Sequence, residues 1–92
     1  GLLLPAYDQT NKSKEKRIMM TFEEILPKLK TGEKIIRRGW SGVEEYVILV
    51  NEDQYDGFPV TPYLLIKTSD EGFSSFAPAV CDILASDWEI VD

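Results

Sequence analysis

Two arginines, a tryptophan and a serine share one glycine-bounded turn, Arg37–Gly42, and they are the residues best suited to binding chemistry. Arginine offers a planar fork of donors for phosphate, and an aromatic ring offers a flat face for a base. Further along the chain, Phe76 adds a second ring, and Asp82 adds a carboxylate that can accept from ribose hydroxyls or an exocyclic amine. These residue types predict a nucleotide that is bound without being altered, through Arg37, Arg38, Trp40, Ser41, Phe76 and Asp82.

A structural interpretation of the same residues is also open. Trp40 and Trp88 are large enough to anchor a core, and Arg37 is able to pair with a neighbouring acid. Composition alone favours this structural interpretation over the binding one.

The residues that most enzymes use are missing. The sequence contains no histidine, the usual general base, zinc ligand and triad member. Without an imidazole partner, we interpret the single cysteine, Cys81, as a packed thiol. The glycines at turns are not spaced as a phosphate-binding loop. We therefore predict that the protein is not an enzyme and has no catalytic residue, no metal site and no cofactor.

Three pairs of acids are candidates for carboxylate chemistry: Glu44/Glu45, Asp70/Glu71 and Asp82/Asp87. Glycoside hydrolysis needs two carboxylates facing one cleft, and so short a body is hard to shape into a deep cleft. The first two pairs also flank turns. Calcium is disfavoured because no run of acids has the alternating spacing of a calcium loop.

Net charge excludes two classes of partner. The formal charge is −6, and four bases against two acids give residues 1–19 a charge of +2, which leaves −8 for residues 20–92. An acidic body repels DNA and anionic membranes, because phosphate contacts need clustered lysine and arginine. We expect no nucleic-acid partner and no membrane partner. With one cysteine and no signal peptide, we expect the protein in the cytoplasm.

Length and local composition predict one domain with a short lead-in. Residues 1–19 are polar and without periodicity, which indicates a flexible extension, and residues 20–92 form a single α+β ligand-binding domain. A chain of 92 residues buries only about 60–65% of its unfolded surface, so its core is marginal. Self-association would bury more apolar surface, and we expect a dimer or larger.

The pattern of the body predicts one helix followed by a sheet. Thr21 and Glu24 have capping-box spacing, an apolar stripe follows, Pro27 shortens or kinks the helix, and Gly32 fits its left-handed end. The segment 51–62 reads as a polar loop, and 79–85 as one or two helical turns. We predict an α+β fold, with the helix beside a four- to five-stranded mostly antiparallel sheet, and these strands: Lys34–Arg38, Glu45–Val50, Tyr63–Thr68, Phe73–Phe76 and Trp88–Val91.

Five short motifs then occur in the order found in one small phage family: Thr21-Phe-Glu-Glu24, Leu29-Lys-x-Gly32, Arg37-Arg38-Gly39-Trp40-x-Gly42, Pro62-Tyr63 and Asp82-x-Leu84-Ala85-x-Asp87-Trp88. The sequence resembles the second Thoeris anti-defence family, over Met20 to Asp92 and not over the extension. The resemblance implies a sponge that sequesters the cyclic ADP-ribose isomer made as the Thoeris alarm nucleotide. It also implies a homodimer or homotetramer with pockets between protomers, acting in the cytoplasm of the infected bacterium.

The resemblance is partial at the proposed site. Many members have Asn at the position of Ser41, and many read approximately Pro-Trp-x-x-Ser where this chain has Ser75, Phe76 and Ala79. Phe76 can still stack on a base, whereas Ala79 lacks a hydroxyl whose hydrogen bond is worth about 0.5–1.5 kcal/mol. Some similar members take up cyclic dinucleotides. Relatives reported as anti-CRISPR proteins suggest the alternative, direct binding to a host immune protein.

Overall fold

The structure, a computed structural model, describes residues 17–92, so most of the predicted extension, residues 1–19, lies outside the described residues. The described chain forms two helices and seven strands. Their bounds are α1 Phe22–Lys30, β1 Lys34–Arg37, β2 Glu44–Val50, β3 Gln54–Tyr55, β4 Phe58–Pro59, β5 Tyr63–Thr68, β6 Gly72–Phe76, α2 Val80–Ile83 and β7 Trp88–Val91. Neither helix in this part of the chain is long and apolar enough to cross a membrane.

The helix α1 begins and ends as its sequence predicts. The Thr21 hydroxyl accepts from the Glu24 N–H at 3.3 Å, and the Glu24 carboxylate accepts from the Thr21 N–H at 2.9 Å, so the capping box is confirmed. Pro27 lies inside the helix, which has nine residues in all and continues to Lys30. After its end, Gly32 has a φ of 101°, the left-handed conformation in which glycine avoids a Cβ penalty.

Five strands form one antiparallel sheet in the order β6-β5-β2-β1-β7. The predicted α+β fold is therefore confirmed, including the short helical turn before the last strand. Two strands, β5 and β7, have the predicted bounds, and the others differ from prediction by one residue at one end. Met20 extends the β7 edge through an isolated antiparallel bridge to Trp88.

The core lies between α1 and one face of the sheet, which we call the core face. Ile25 and Leu29 of α1 pack against three buried residues of that face, Ile35, Val47 and Trp88. The stripe of apolar residues at helical spacing thus meets the side chains that alternate inward along the strands.

The opposite face of the sheet, here the second face, carries aromatic and basic side chains. Tyr46 of β2 and Phe73 of β6 make an edge-on ring contact with centroids 6.2 Å apart, and the Lys34 ammonium lies 4.7 Å from the Tyr46 ring centroid. Phe73 is exposed. The second face therefore presents apolar surface to its surroundings.

The segment predicted as a polar loop, residues 51–62, contains a small hairpin formed by β3 and β4. Asp56 and Gly57 have φ values of 53° and 81°, as a two-residue turn with two left-handed positions requires. Pro59 is tolerated because both strands of a two-stranded ribbon are edges, so the prolines exclude only a central strand. The loop prediction missed the Asp-Gly hairpin signal.

Candidate functional site

Trp40 lies at the border of the core, in the turn between β1 and β2. Its backbone N–H donates to the Arg37 carbonyl at 3.1 Å, which closes the turn. Its half-buried indole ring makes edge-on contacts with Trp88 at 5.4 Å and Phe76 at 5.8 Å between centroids. The structure therefore brings together the two aromatic residues that the sequence predicted to bind a ligand.

Trp88 has a structural role, as the alternative interpretation of the sequence holds. Its side chain is 0% exposed, and its indole N–H donates to the Asp82 carbonyl at 2.8 Å. Trp40, by contrast, retains exposed ring surface. Among residues 17–92 nothing accepts a hydrogen bond from the Trp40 indole N–H. The core-anchor interpretation therefore describes Trp88 fully and Trp40 in part.

Arg37 is held by two carboxylates. Its Nε donates to Asp87 Oδ1 at 2.8 Å, and its Nη1 donates to Asp82 Oδ1 at 3.0 Å. This is the pairing with a neighbouring acid that the structural interpretation expects. The Nη2 of Arg37 has no acceptor within the described residues, so part of the guanidinium remains available for an anion.

Asp82 supports the short helix as well as Arg37. Its Oδ2 accepts from the Ala79 N–H at 2.9 Å, which is half of a capping box at the start of α2. The other half is missing, because the alanine at the N-cap has no side-chain acceptor. Both oxygens of this buried carboxylate thus have partners, and Asp82 is better placed to orient Arg37 than to contact a ligand alone.

Asp87 was not among the residues predicted for the site, although it lies at its centre. Its Oδ2 accepts from the Gly39 N–H at 2.8 Å while its Oδ1 holds Arg37. A Cβ added to Gly39 would lie 2.8 Å from Asp87 Oδ2, so only glycine leaves room for the carboxylate. Two signals for Asp87 were present in the sequence: the acid pair Asp82/Asp87, weighed for catalysis, and the closing motif Asp82-x-Leu84-Ala85-x-Asp87-Trp88 of the family resemblance.

The pKa values of this ion pair follow from its contacts. Burial alone would raise the pKa of Asp87, but hydrogen bonds from Arg37 and the Gly39 N–H outweigh burial, so its pKa is lowered. The hydrogen bond with Asp87 raises the pKa of Arg37 against the opposing effect of burial, with Asp82 adding to the rise. Both groups are therefore charged at neutral pH.

Arg38 lies on the second face of the sheet, away from Arg37. Its Nη2 donates to Glu89 Oε1 at 3.1 Å and its Nε to Glu89 Oε2 at 3.3 Å, a forked pair in which Glu89 is 1% exposed. Opposed residues of paired strands share a face, and Arg37 is opposed to the buried Trp88. The two neighbouring arginines therefore point to different faces, and Arg38 does not join Arg37 beside the rings.

The charges of the site nearly cancel. Two arginines, Arg37 and Arg38, are matched by the carboxylates of Asp82, Asp87 and Glu89, a local balance of −1. Among residues 17–92 these charges therefore supply no net positive charge to attract phosphate, and affinity from this part of the chain would come from individual donors and ring surfaces.

The remaining predicted residue, Ser41, follows Trp40 in the turn and is exposed. Its hydroxyl has no hydrogen-bond partner in the described part of the chain. Together with the Trp40 indole N–H and the Arg37 Nη2, it gives this turn three polar groups that have no partner among residues 17–92. The arrangement can bind a planar, polar molecule.

Comparison with known proteins identifies the chain's relatives. A model of the Tad2-like, Thoeris anti-defense 2-like domain matches residues 20–91. The chain belongs to this family. It is also similar to Thoeris anti-defense 2 of Bacillus phage SP01, at 33% identity over 84 residues, which covers 78% of this chain and 94% of the relative. The resemblance stated from five motifs is thus confirmed, and the coarse function of the chain is phage anti-defence.

Proposed function

We propose that this chain binds a cyclic nucleotide immune signal and holds it without degrading it, so that the host defence is not triggered. One observation carries the proposal: the half-buried Trp40 ring, packed on Phe76, is presented by the same turn as Arg37, whose Nη2 has no acceptor among residues 17–92. Stacking on an aromatic ring and hydrogen bonds to phosphate are the two interactions that a nucleotide needs.

The ligand is held by specific contacts in this proposal. A base stacks on Trp40, whose indole N–H has no acceptor among residues 17–92, and a phosphate oxygen accepts from Nη2 of Arg37. Ser41 is the exposed residue that follows Trp40 in the turn, and its hydroxyl can donate to a ribose or phosphate oxygen. Asp82 contributes by orienting Arg37. Arg38 contributes by stabilising the sheet.

Release of the ligand intact is part of the proposal. The chain contains no histidine, and the carboxylates of Asp82 and Asp87 are both bound to Arg37. Asp87 is a poor general base, because its pKa is lowered and its affinity for a proton is therefore reduced. These features favour sequestration over turnover.

The signal is proposed from the family. The Thoeris name of the family and of the phage relative favours the Thoeris alarm nucleotide, a cyclic ADP-ribose isomer. Cyclic dinucleotides are the second ligand class, and Phe76 and Ala79 are the positions that would retune the choice. A thermal-shift panel separates the two classes. A ligand at 100 times its Kd adds about 2.7 kcal/mol, which raises the Tm of so small a domain by roughly 10–20 °C.

A depletion assay tests sequestration directly. The purified protein is incubated with the cyclic ADP-ribose isomer and removed by filtration, and the filtrate is assayed for nucleotide by mass spectrometry. We expect a stoichiometric loss of nucleotide from the filtrate and its intact recovery after heating. Full recovery before heating would refute binding, and a degraded product after heating would show an enzyme.

Trp40→Ala identifies the site in the same assay. Stacking is worth about 1–3 kcal/mol per base, so we expect the Kd to rise roughly 5- to 150-fold. Trp40→Phe, which keeps a ring, should lose much less. The matched control is Tyr55→Ala, because Tyr55 is 78% exposed on the hairpin and touches no predicted site residue. Equal losses of affinity in Trp40→Ala and Tyr55→Ala would contradict the site.

We also propose that the protein acts as a homodimer or homotetramer. Exposed apolar side chains support this proposal, among them Phe73 on the second face, Val80 and Ile83 on α2, and Leu84 directly after α2. Large exposed apolar surfaces are typical of protein interfaces. Light scattering coupled to size exclusion gives the mass, and a monomer at micromolar concentration would contradict the proposal.

One feature favours the alternative function, direct inhibition of a host immune protein. The hairpin presents Tyr55 and Phe58, which are 78% and 71% exposed, beside Glu52, Asp53 and Asp56. Aromatic residues with acids around them suit a basic protein surface. Tyr55→Ala/Phe58→Ala should leave nucleotide depletion unchanged. If this variant loses anti-defence activity in cells while depleting the nucleotide normally, direct inhibition is supported.

A further inference from the structure

We propose that Asp87 is the positioning residue of the nucleotide site, because it fixes the turn that presents Trp40. The inference rests on the proposed function, and it concerns a residue that contacts the turn and not the ligand. Asp87 lies just before β7, about half the chain away in sequence from the turn that it holds.

Asp87 bonds to three successive residues of the turn. Its Oδ1 accepts from Arg37 Nε at 2.8 Å, its carbonyl oxygen accepts from the Arg38 N–H at 2.8 Å, and its Oδ2 accepts from the Gly39 N–H at 2.8 Å. The next residue is Trp40, whose N–H returns to the Arg37 carbonyl. The backbone on which the indole ring stands is therefore determined by Asp87.

The contact has a steric counterpart at Gly39. An added Cβ would lie 2.8 Å from Asp87 Oδ2, whereas the φ of Gly39 is not in the left-handed region. Glycine is therefore required at this position by the carboxylate and not by the backbone conformation. This makes the contact between Gly39 and Asp87 testable by paired substitutions.

Only a carboxylate satisfies both donors of the turn. Arg37 Nε and the Gly39 N–H each need an acceptor, and an asparagine at position 87 offers one oxygen and one NH2 group. Asp87→Asn therefore keeps the size of the side chain and loses one charge-assisted hydrogen bond, with the NH2 group facing a donor. We expect the turn to loosen while the core, built on α1 and the sheet, stays folded.

The ring itself is the first readout, measured without ligand. The chain has two tryptophans, so labelling with 5-fluorotryptophan gives two fluorine resonances, which Trp40→Phe assigns. In Asp87→Asn we expect the Trp40 resonance to shift or broaden by more than that of Trp88, which is 0% exposed. An unchanged Trp40 resonance would overturn the proposal.

Affinity is the second readout, with the cyclic ADP-ribose isomer as the probe. We expect Asp87→Asn to raise the Kd about 10-fold, the loss of one hydrogen bond to a charged group. The control is Ile66→Val in β5, a strand that pairs with neither β1 nor β7, because it lowers stability by removing a methyl group packed against the core. If Ile66→Val raises the Kd as much as Asp87→Asn does, the role of Asp87 is only structural and the proposal fails.

A paired substitution keeps the test independent of ligand identity. Gly39→Ala should destabilise the protein in the presence of Asp87 and should cost much less in the Asp87→Ala background, where the clash is removed. Equal costs in both backgrounds would overturn the positioning contact. If the unaltered protein fails to deplete the nucleotide, the proposed function fails, whereas the fluorine resonances and the paired substitutions still decide whether Asp87 holds Trp40.

Discussion

Arg37 and Arg38 are adjacent in sequence, yet they lie in two different regions of the molecule. Arg37 is at the edge of the core face, between the buried carboxylate of Asp82 and the partly exposed carboxylate of Asp87, in the turn that carries Trp40. Arg38 is on the second face, forked onto Glu89, a carboxylate with 1% exposure. The alternation of side chains along a strand separates them.

The difference shows how burial of the partner carboxylate gives two arginines different roles, one in stability and one in binding. A buried carboxylate cannot be rehydrated when its partner is lost, so the pair of Arg38 and Glu89 belongs to the stability of the fold. Of the two carboxylates around Arg37, Asp87 still reaches water and the buried Asp82 keeps a second donor in the Ala79 N–H, while Nη2 of Arg37 has no acceptor in the described chain. Arg37 can therefore change partners at moderate cost, which a ligand-binding residue requires.

Removal of Arg38 should produce the largest effect on stability. Arg38→Ala leaves Glu89 buried without its forked donor, so we expect a loss of about 3–5 kcal/mol in the free energy of unfolding. Urea unfolding monitored by circular dichroism measures it. Arg38→Met/Glu89→Leu, which removes both charges and keeps the volume, should recover most of the loss. A single substitution costing less than about 1 kcal/mol would show that the pair does not stabilise the fold.

Removal of Arg37 should lower ligand affinity more, and folding stability less, than removal of Arg38 does. In Arg37→Met, Asp87 remains partly hydrated and Asp82 keeps the Ala79 N–H, and we expect about 1–3 kcal/mol lost in the free energy of unfolding. The affinity for the cyclic ADP-ribose isomer should fall by more than in Arg38→Met/Glu89→Leu. Isothermal titration beside urea unfolding gives both quantities. Arg37→Lys, which keeps charge without the fork, should be intermediate in affinity. If Arg37→Met and Arg38→Met/Glu89→Leu bind the nucleotide with equal affinity, Arg37 has no greater role in binding than Arg38.

The fold was largely predictable because its signals are local. The capping box of Thr21 and Glu24, the left-handed Gly32 and the β-branched strands each lie within a few residues of sequence. The site was predictable only in its residue types. Which carboxylate meets which arginine depends on the register of β1 against β7, in which Arg37 is opposed to Trp88. That register joins residues about fifty positions apart, and no local pattern encodes it.

The same limit explains two particular results. Asp82 was predicted to contact a ligand, and the structure gives both its oxygens to partners within the chain, Arg37 and the Ala79 N–H. Asp87 was weighed as a catalytic acid, and it proves to hold the turn through Gly39. The contact of Trp40 with Phe76 confirms that the aromatic residues lie together, while their role in binding stays a prediction.

The contribution of Asp87 to the free energy of unfolding should decrease in acid, and Asp87→Asn should abolish this pH dependence. The pKa of Asp87 is lowered in the folded protein, so the folded state binds fewer protons than the unfolded state near that pKa. Its contribution to stability is therefore complete above the unfolded value of about 3.9 and is lost as the pH falls through the folded value. Urea midpoints between pH 6 and pH 3 should show the advantage of the unaltered protein over Asp87→Asn shrinking below about pH 4. An advantage that is constant down to pH 3 would contradict the lowered pKa.

The smallest expected effect is that of a hydroxyl group added at position 79. It tests whether this position caps α2 or contacts the ligand. Ala79 is the N-cap of α2 and has no side-chain acceptor, although Asp82 already accepts from its N–H. Ala79→Ser should complete the capping box and raise the free energy of unfolding by about 1 kcal/mol. Ala79→Gly, which offers no hydroxyl, is the matched control. If the serine raises stability and leaves the Kd for the cyclic ADP-ribose isomer unchanged, a hydroxyl at position 79 acts as a helix cap, and Ala79 does not weaken the site. If the Kd falls instead while stability is unchanged, the hydroxyl contacts the ligand, and the Arg37 region extends to the start of α2.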